Sequence, residues 1–340
     1  MSLARSGLDP DWTKRLAGSA RYPACMVSVG VVFSAGGPKG DPWHSGVVGA
    51  LAEHTGFDAR TAALLVGTSA GSFTSTALRA GLGPGDIENR HLGRELTPDG
   101  QAITSRIVTP YDEPVADRAF VPSSPKMALR AAWPPWSIDP VRVAFGLLPN
   151  GNRSGEAIAT RIDELLPDGW PTQPLWIVAV RTNDGKRIVF GRDDVRGTPG
   201  QASQASSAIP AIYTPTTIGS REYIDGAVHS STNADLVATL GFDLVIISSV
   251  KTTTPDARSW TGDTGRWWFS NKLDSEVAEI RSRGTAVVVI EPAEPELAEL
   301  SRNDDTLRRR ACQAGRAATE RVLAGRDGDG IRAILGTAAN

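Results

Sequence analysis

The segment Gly67-Thr68-Ser69-Ala70-Gly71 sets a serine among small residues, directly after the apolar run Ala62-Ala63-Leu64-Leu65-Val66 and before a helix-like stretch from Ser72 to Ala80. This order predicts a sharp strand-to-helix turn. Glycine is needed two places before and after the serine because a bulky side chain there would collide with the strained backbone. Such a turn pushes the hydroxyl out of the sheet and beside the positive end of the helix, where a developing alkoxide or oxyanion is favoured. The chemistry served is nucleophilic acyl transfer. A glycine-rich turn without chemistry can carry the same five residues, so the elements around it have to decide.

Those elements read as a parallel α/β sheet. Met26–Phe33 is apolar, β-branched and continuous, which suits a strand buried on both faces. The loop Ser34-Ala35-Gly36-Gly37-Pro38-Lys39-Gly40 follows, and His44–His54 then has helical spacing with Val47, Val48 and Leu51 on one side. A second strand at Ala62–Val66 and a helix stopping at Gly81 complete a strand–helix–strand–helix order, which points to parallel strands. A helix near Gly155–Leu166 leads to a strand at Leu175–Val180, and Asn183-Asp184-Gly185 turns it into a hairpin with Arg187–Phe190. Buried strands are expected at Leu244–Ser248 and Ala286–Ile290, and helices at Asn271–Arg283 and Asp304–Leu323.

The loop Ser34–Gly40 ends a buried strand and opens a helix, so its amides should face the crevice at the carboxyl edge of the sheet and bind negative charge. Lys39 followed by Gly40 breaks the P-loop pattern, and no G-x-G-x-x-G is present. Much later, Glu222-Tyr223-Ile224-Asp225-Gly226-Ala227 reads as a short strand closing on Asp-Gly. The glycine leaves room for the carboxylate to approach another backbone, although a plain Asp-Gly turn has the same signature.

Composition narrows the classes further. A net charge of −2 with 22% charged residues gives no strongly basic face, which excludes nucleic acid as an expected partner. Cys25 and Cys312 lie far apart in no metal or redox motif and read as two reduced thiols. His44, His54, His91 and His229 lack metal-ligand spacing, so no metal is expected. Residues Met1–Tyr22 include Asp9, Asp11, Lys14 and Arg15 with no apolar core of a signal sequence. No apolar stretch reaches the length of a membrane span, so the expected location is cytoplasmic, with peripheral membrane contact allowed.

From Leu96 to Asn150 the periodic pattern dissolves into prolines, with Trp133 and Trp136 interleaved. A stretch of that length is expected to be a lid, a binding segment, or a surface excursion with its own small core. The expected organisation is an N-terminal extension over 1–23, one domain over 24–325 containing the insertion 96–150, and a C-terminal tail over 326–340.

Taken together, Ser34–Gly40, Gly67–Gly71 and Asp225-Gly226-Ala227 resemble the glycine-rich loop, the serine elbow and the distant Asp-Gly block of the patatin-like phospholipase family. Ala205-Ser206-Ser207-Ala208-Ile209-Pro210, with Tyr213 and Pro215, is similar to a fourth block, and the likeness runs from about Val27 to about Ser249. The resemblance implies a three-layer α/β/α sandwich with a mostly parallel central sheet. It implies a Ser–Asp dyad in which Ser69 attacks an ester carbonyl and Asp225 takes its proton. It also implies an oxyanion hole at Gly36, Gly37 and Lys39, an elbow shaped by Gly67 and Gly71, and supporting roles for Gly40 and Gly226. The substrate would be a fatty-acyl ester, most naturally a glycerolipid or phospholipid, and no cofactor is called for. Two departures stand out: Ala35 replaces the first glycine of the family's triple run, and Pro38 has no N–H to donate.

Three other readings share these residues. An α/β-hydrolase triad would add His229 to Ser69 and an intervening aspartate. A lipid-binding scaffold of the same fold would carry a weakened site. Acyl transfer to an acceptor other than water would use the same chemistry as hydrolysis. The insertion, with Trp133 and Trp136 and with help from Trp267, Trp268 and Phe269, is the expected place of lipid contact, core packing being the plain alternative for each aromatic residue.

Overall fold

The computed structural model describes residues 27–111, 115, 122–133, 140–258 and 264–338. The extension 1–23, Cys25 and Trp136 lie outside the described residues. Strand β1 (Val29–Phe33) leads through a 3₁₀ turn (Gly37–Lys39) into helix α1 (Gly40–Thr55). Strand β2 (Leu64–Thr68) runs into α2 (Ala70–Arg79). Helices α3 (Pro84–Leu92), α4 (Pro98–Thr104), α5 (Pro125–Ala131), α6 (Pro140–Leu147) and α7 (Glu156–Leu165) follow. The hairpin β3 (Leu175–Arg181) and β4 (Arg187–Phe190) precedes α8 (Pro199–Ser206), β5 (Thr216–Ile218), β6 (Arg221–Asp225) and β7 (Leu244–Ser248). The chain closes with α9 (Thr264–Ser282), β8 (Ala286–Ile290), α10 (Glu294–Ser301), α11 (Leu307–Ala324) and α12 (Gly328–Ala338).

The strands form one sheet in the order β5-β6-β3-β2-β1-β7-β8, with β4 also paired to β3. β8, β7, β1, β2 and β3 are parallel, whereas β4, β5 and β6 pair antiparallel. The parallel strands are mostly apolar because both faces are covered. Val29, Val31 and Phe33 of β1 enter one core, with Trp43 and Leu51 of α1, Leu78 of α2 and Ala311 of α11. Val32 points into the opposite core, with Val66, Leu273, Val277 and Ile280. Successive residues of a strand face opposite ways, so the alternation defines the three-layer α/β/α sandwich expected.

Two local expectations change. The stretch from Leu96 holds three short helices, α4, α5 and α6, rather than irregular chain throughout. Pro98, Pro125 and Pro140 each stand in the first turn of a helix, where the missing N–H costs nothing. The tail beyond 326 contains α12, whose Ile331, Ile334 and Leu335 join the core.

Candidate active site

β1 and β2 are parallel neighbours, so the loop after the first and the elbow after the second emerge at the same edge. Ser69 caps α2 with φ 53° and ψ −120°, a left-handed conformation that an L side chain rarely adopts and that costs about 1–3 kcal/mol. The surroundings hold it there. The Ser69 amide donates to Ser206 Oγ at 2.7 Å, and that hydroxyl donates to the Val178 carbonyl at 2.6 Å. Ser72 N–H and Oγ both donate to the Ser69 carbonyl, at 2.8 and 2.6 Å.

The flanking glycines are obligatory on contact grounds. A Cβ on Gly71 would lie 2.2 Å from the Phe33 carbonyl oxygen, and one on Gly67 would lie 2.5 Å from Ser75 Oγ. The elbow therefore packs against β1 and against its own helix with no space for a methyl group.

The glycine loop closes on the same point. A Cβ on Gly40 would meet the Ala70 Cβ at 2.5 Å, so the N-termini of α1 and α2 converge. Gly36 is jammed against Gly40 and Val250, whereas Gly37, at φ +55°, has nothing within 4 Å of its would-be Cβ. Gly37, half-buried, and the exposed Pro38 thus form the lip of the loop. Ala35 donates its amide to the Ser231 carbonyl at 2.7 Å, which takes that N–H out of any anion site. Pro38 and Lys39 continue the 3₁₀ turn behind Gly37. Below the loop, buried His44 bonds the Ser34 carbonyl through Nε2 (2.8 Å) and Ser248 Oγ through Nδ1 (2.7 Å). A carbonyl only accepts, so Nε2 carries the proton and Nδ1 receives the Ser248 hydroxyl. Burial pushes His44 down to about 4, leaving it neutral.

Asp41 fixes the start of α1. It accepts from Thr74 Oγ1 (2.7 Å) and Arg90 Nη2 (2.8 Å) and meets His91 Nε2 at 3.1 Å. Burial pushes its carboxyl up, but Arg90 and His91 outweigh burial and hold it well below the usual carboxylate range. One buried carboxylate thereby ties α1 to α2 and α3.

Asp225 ends β6 and is 2% exposed. Its Oδ1 accepts the Ala227 amide at 2.7 Å, and the Ser69 hydroxyl lies near enough to pull its pKa down. Desolvation pushes it up to about 6, against the opposing pull of the Ala227 amide, the Ser69 hydroxyl and the Lys251 charge. Gly226 is required beside it, because a Cβ there would lie 2.4 Å from the Val178 carbonyl oxygen. Asn233 braces the arrangement from behind, donating to Thr68 Oγ1 (3.1 Å) and the Ser230 carbonyl (2.7 Å).

The structure thus brings Ser69, Asp225, Gly36, Gly37, Gly40, Gly67, Gly71 and Gly226 together at one sheet edge, with Lys39 next to them. It gives His229 a different neighbour: its Nδ1 accepts from Arg142 of α6. Burial and the charges of Arg187 and Arg142 push His229 down to about 3. Three contributors carried no role at the level of sequence. Ser206 stood inside a recognisable block without a partner, and Asn233 and Lys251 stood in no motif. Among the described residues, no cluster of His, Cys, Asp and Glu could hold a metal ion, and no helix is long and apolar enough to cross a membrane.

A sequence model of the family described as patatin-like phospholipase matches residues 31–238, more than half of the chain. Among solved structures, the crystal structure of VipD from Legionella pneumophila matches with a TM-score of 0.40 and 15% identity, over 95% of this chain and 70% of that one.

Proposed function

Because the chain belongs to the patatin-like phospholipase family, we propose that it is a serine lipid acyl hydrolase in which Ser69 is the nucleophile and Asp225 the general base. The observation that carries this reading is the pair itself: a hydroxyl on a strained elbow beside a buried carboxylate raised to about 6. An ordinary carboxylate near 4 is a poor base at neutral pH; one near 6 is stronger and still ionised there.

Ser69 Oγ attacks the ester carbonyl carbon as its proton passes to Asp225. The carbonyl oxygen takes the electron pair and becomes an oxyanion at the lip of the glycine loop. The amides of Gly36, Gly37 and Lys39 and the converging starts of α1 and α2 stabilise that charge. Collapse of the intermediate breaks the bond to the alcohol, which leaves with the proton from Asp225. Water then attacks the acyl-enzyme, Asp225 takes one of its protons, and the fatty acid departs as Ser69 recovers its own.

The substrate class is a fatty-acyl ester of a glycerolipid or phospholipid. The test is release of free fatty acid from phospholipid and from p-nitrophenyl esters, together with labelling by a fluorophosphonate probe. Wild type should label and turn over, and Ser69→Ala should do neither. Turnover in a folded Ser69→Ala protein above a few per cent of wild type would overturn the assignment.

A further inference from the structure

The insertion between α4 and α7 has two faces of opposite character. Its inner face is built into the fold. Ser124 caps α5, receiving the Met127 amide at 3.3 Å and donating to the Thr182 carbonyl at 2.5 Å. Met127 is 1% exposed and packs with Val180, Ile224 and Val228. Ile224 directly precedes Asp225, so α5 is seated on the strand that supplies the carboxylate. On α6, Arg142 donates to His229 and ties the second helix of the insertion to the same region.

The outer face is exposed, and of its two cations Arg130 lies near enough to Asp184 of the β3–β4 turn to lower that carboxyl. Lys126, Leu129, Arg130 and Trp133 follow at i, i+3, i+4 and i+7, which places them on one stripe of a helix. The helical turn continues past the end of α5, because the Trp133 amide donates to the Arg130 carbonyl at 3.3 Å. All four side chains are exposed, Leu129 at 73% and Trp133 at 71%. The helix carries no acidic residue. Tyr111, Val115 and Leu147 of the same excursion are also exposed. Leu129 and Trp133, flanked by two cations on one stripe, form an exposed apolar pair of the kind that meets a partner.

We propose that the outer face of α5 is an interfacial binding surface for an anionic phospholipid bilayer. Leu129 and Trp133 enter the boundary between headgroups and acyl chains, and Lys126 and Arg130 meet the headgroup phosphates. Charge selects this occupant. A second copy docking through the same stripe would set Lys126 and Arg130 against the like charges of its partner, whereas an anionic bilayer complements them and accepts the apolar pair. Seating on β6 would then bring the candidate site to the layer where acyl esters lie. The purpose of the surface rests on the lipid-hydrolase reading, but its test does not depend on turnover.

Full-length Ser69→Ala protein should co-sediment with phosphatidylglycerol-containing vesicles at low salt, and much less with pure phosphatidylcholine. Leu129→Gln with Trp133→Gln should weaken that binding about tenfold or more. Lys126→Gln with Arg130→Gln should weaken it about fivefold per cation removed on anionic vesicles, and added salt should do the same. Trp133→Phe, which keeps an apolar ring, should retain most of the binding, and thermal midpoints should match wild type because all four side chains lie outside the packed core. Unchanged binding in both double variants, equal binding to neutral and anionic vesicles, or a loss of self-association rather than of vesicle binding would overturn the proposal. Vesicle binding through α5 without fatty-acid release by the Ser69 form would remove the hydrolase reading alone. Fatty-acid release without α5-dependent binding would remove the surface alone.

Discussion

Thr68 and Asp225 lie opposite consecutive residues of one strand, Val178 and Ala179 of β3, although they come from strands that run in opposite directions. β4 pairs with β3 over Ile177–Val180 and so occupies its other edge. β2 therefore climbs one edge of β3 and β6 descends the same edge until the two meet. Ser69 is the first residue past one strand end and Asp225 the last residue of the other. Their approach is set by sheet register, and a one-residue slip of β6 would turn the carboxylate to the opposite face. The Val178 carbonyl sits at the junction, bonded by Ser206 and closely approached by Gly226.

Ser206→Ala removes the acceptor of the Ser69 amide and leaves both that N–H and the Val178 carbonyl short of a partner. A buried group left unpaired costs about 1–3 kcal/mol, and here the loss falls on a backbone already held in the left-handed region. We expect kcat to drop about 5- to 100-fold with KM little changed, and Ser206→Thr, which restores a hydroxyl, to recover much of it. Steady-state kinetics on a soluble ester decide the matter. A Ser206→Ala enzyme within twofold of wild-type kcat would show that the clamp does not position the nucleophile.

The elbow, the glycine loop and the Asp-Gly strand were legible because each depends on local chemistry: small residues where contacts leave no room for a Cβ. β7 and β8 were legible for another reason, since a strand covered on both faces is an unbroken apolar run. The helices of the insertion were not. Proline reads as a breaker, yet Pro98, behind the capping Thr97, and Pro125, behind the capping Ser124, begin helices rather than end them. Helix α8 was hidden by its glutamines and serines, although Thr198 and Gln201 form a capping box at its start. β5, only Thr216–Ile218, is too short to show alternation. Ser69 and Ser206 stand 137 residues apart in the chain, and only the folded sheet makes them neighbours.

Asp225→Asn should be nearly inactive, with kcat/KM down by at least about 100-fold, the usual worth of a general base. The amide keeps the shape of the side chain but cannot take the serine's proton. His229→Ala should cost far less, because its ring is engaged by Arg142. The two variants assayed side by side on a p-nitrophenyl ester separate dyad from triad. A dead His229→Ala beside an active Asp225→Asn would install the histidine as base.

The base must be ionised to act, so kcat/KM should fall tenfold for each pH unit below about 6, the value to which burial raises Asp225. Lys251, on the loop after β7, pulls that value downward through its charge. Lys251→Met should therefore move the acidic limb of the profile to higher pH while leaving the plateau close to wild type. A limb that stays in place would show that the lysine charge does not reach the carboxylate.

The same carboxylate should weaken the fold it serves. Its pKa is about 6 in the folded protein against an ordinary 3.8. Between those values the native state binds more protons than the unfolded chain, so stability falls as pH rises through that window and stays low above it. Asp225→Asn removes the ionisation and should stabilise the protein by about 1–3 kcal/mol near pH 8, with the benefit shrinking to nothing below about pH 3, where the native and unfolded carboxyls are both protonated. Urea unfolding of the two proteins across that range gives the measurement. A variant less stable than wild type near pH 8, or a benefit constant with pH, would mean that Asp225 is not held against its own charge.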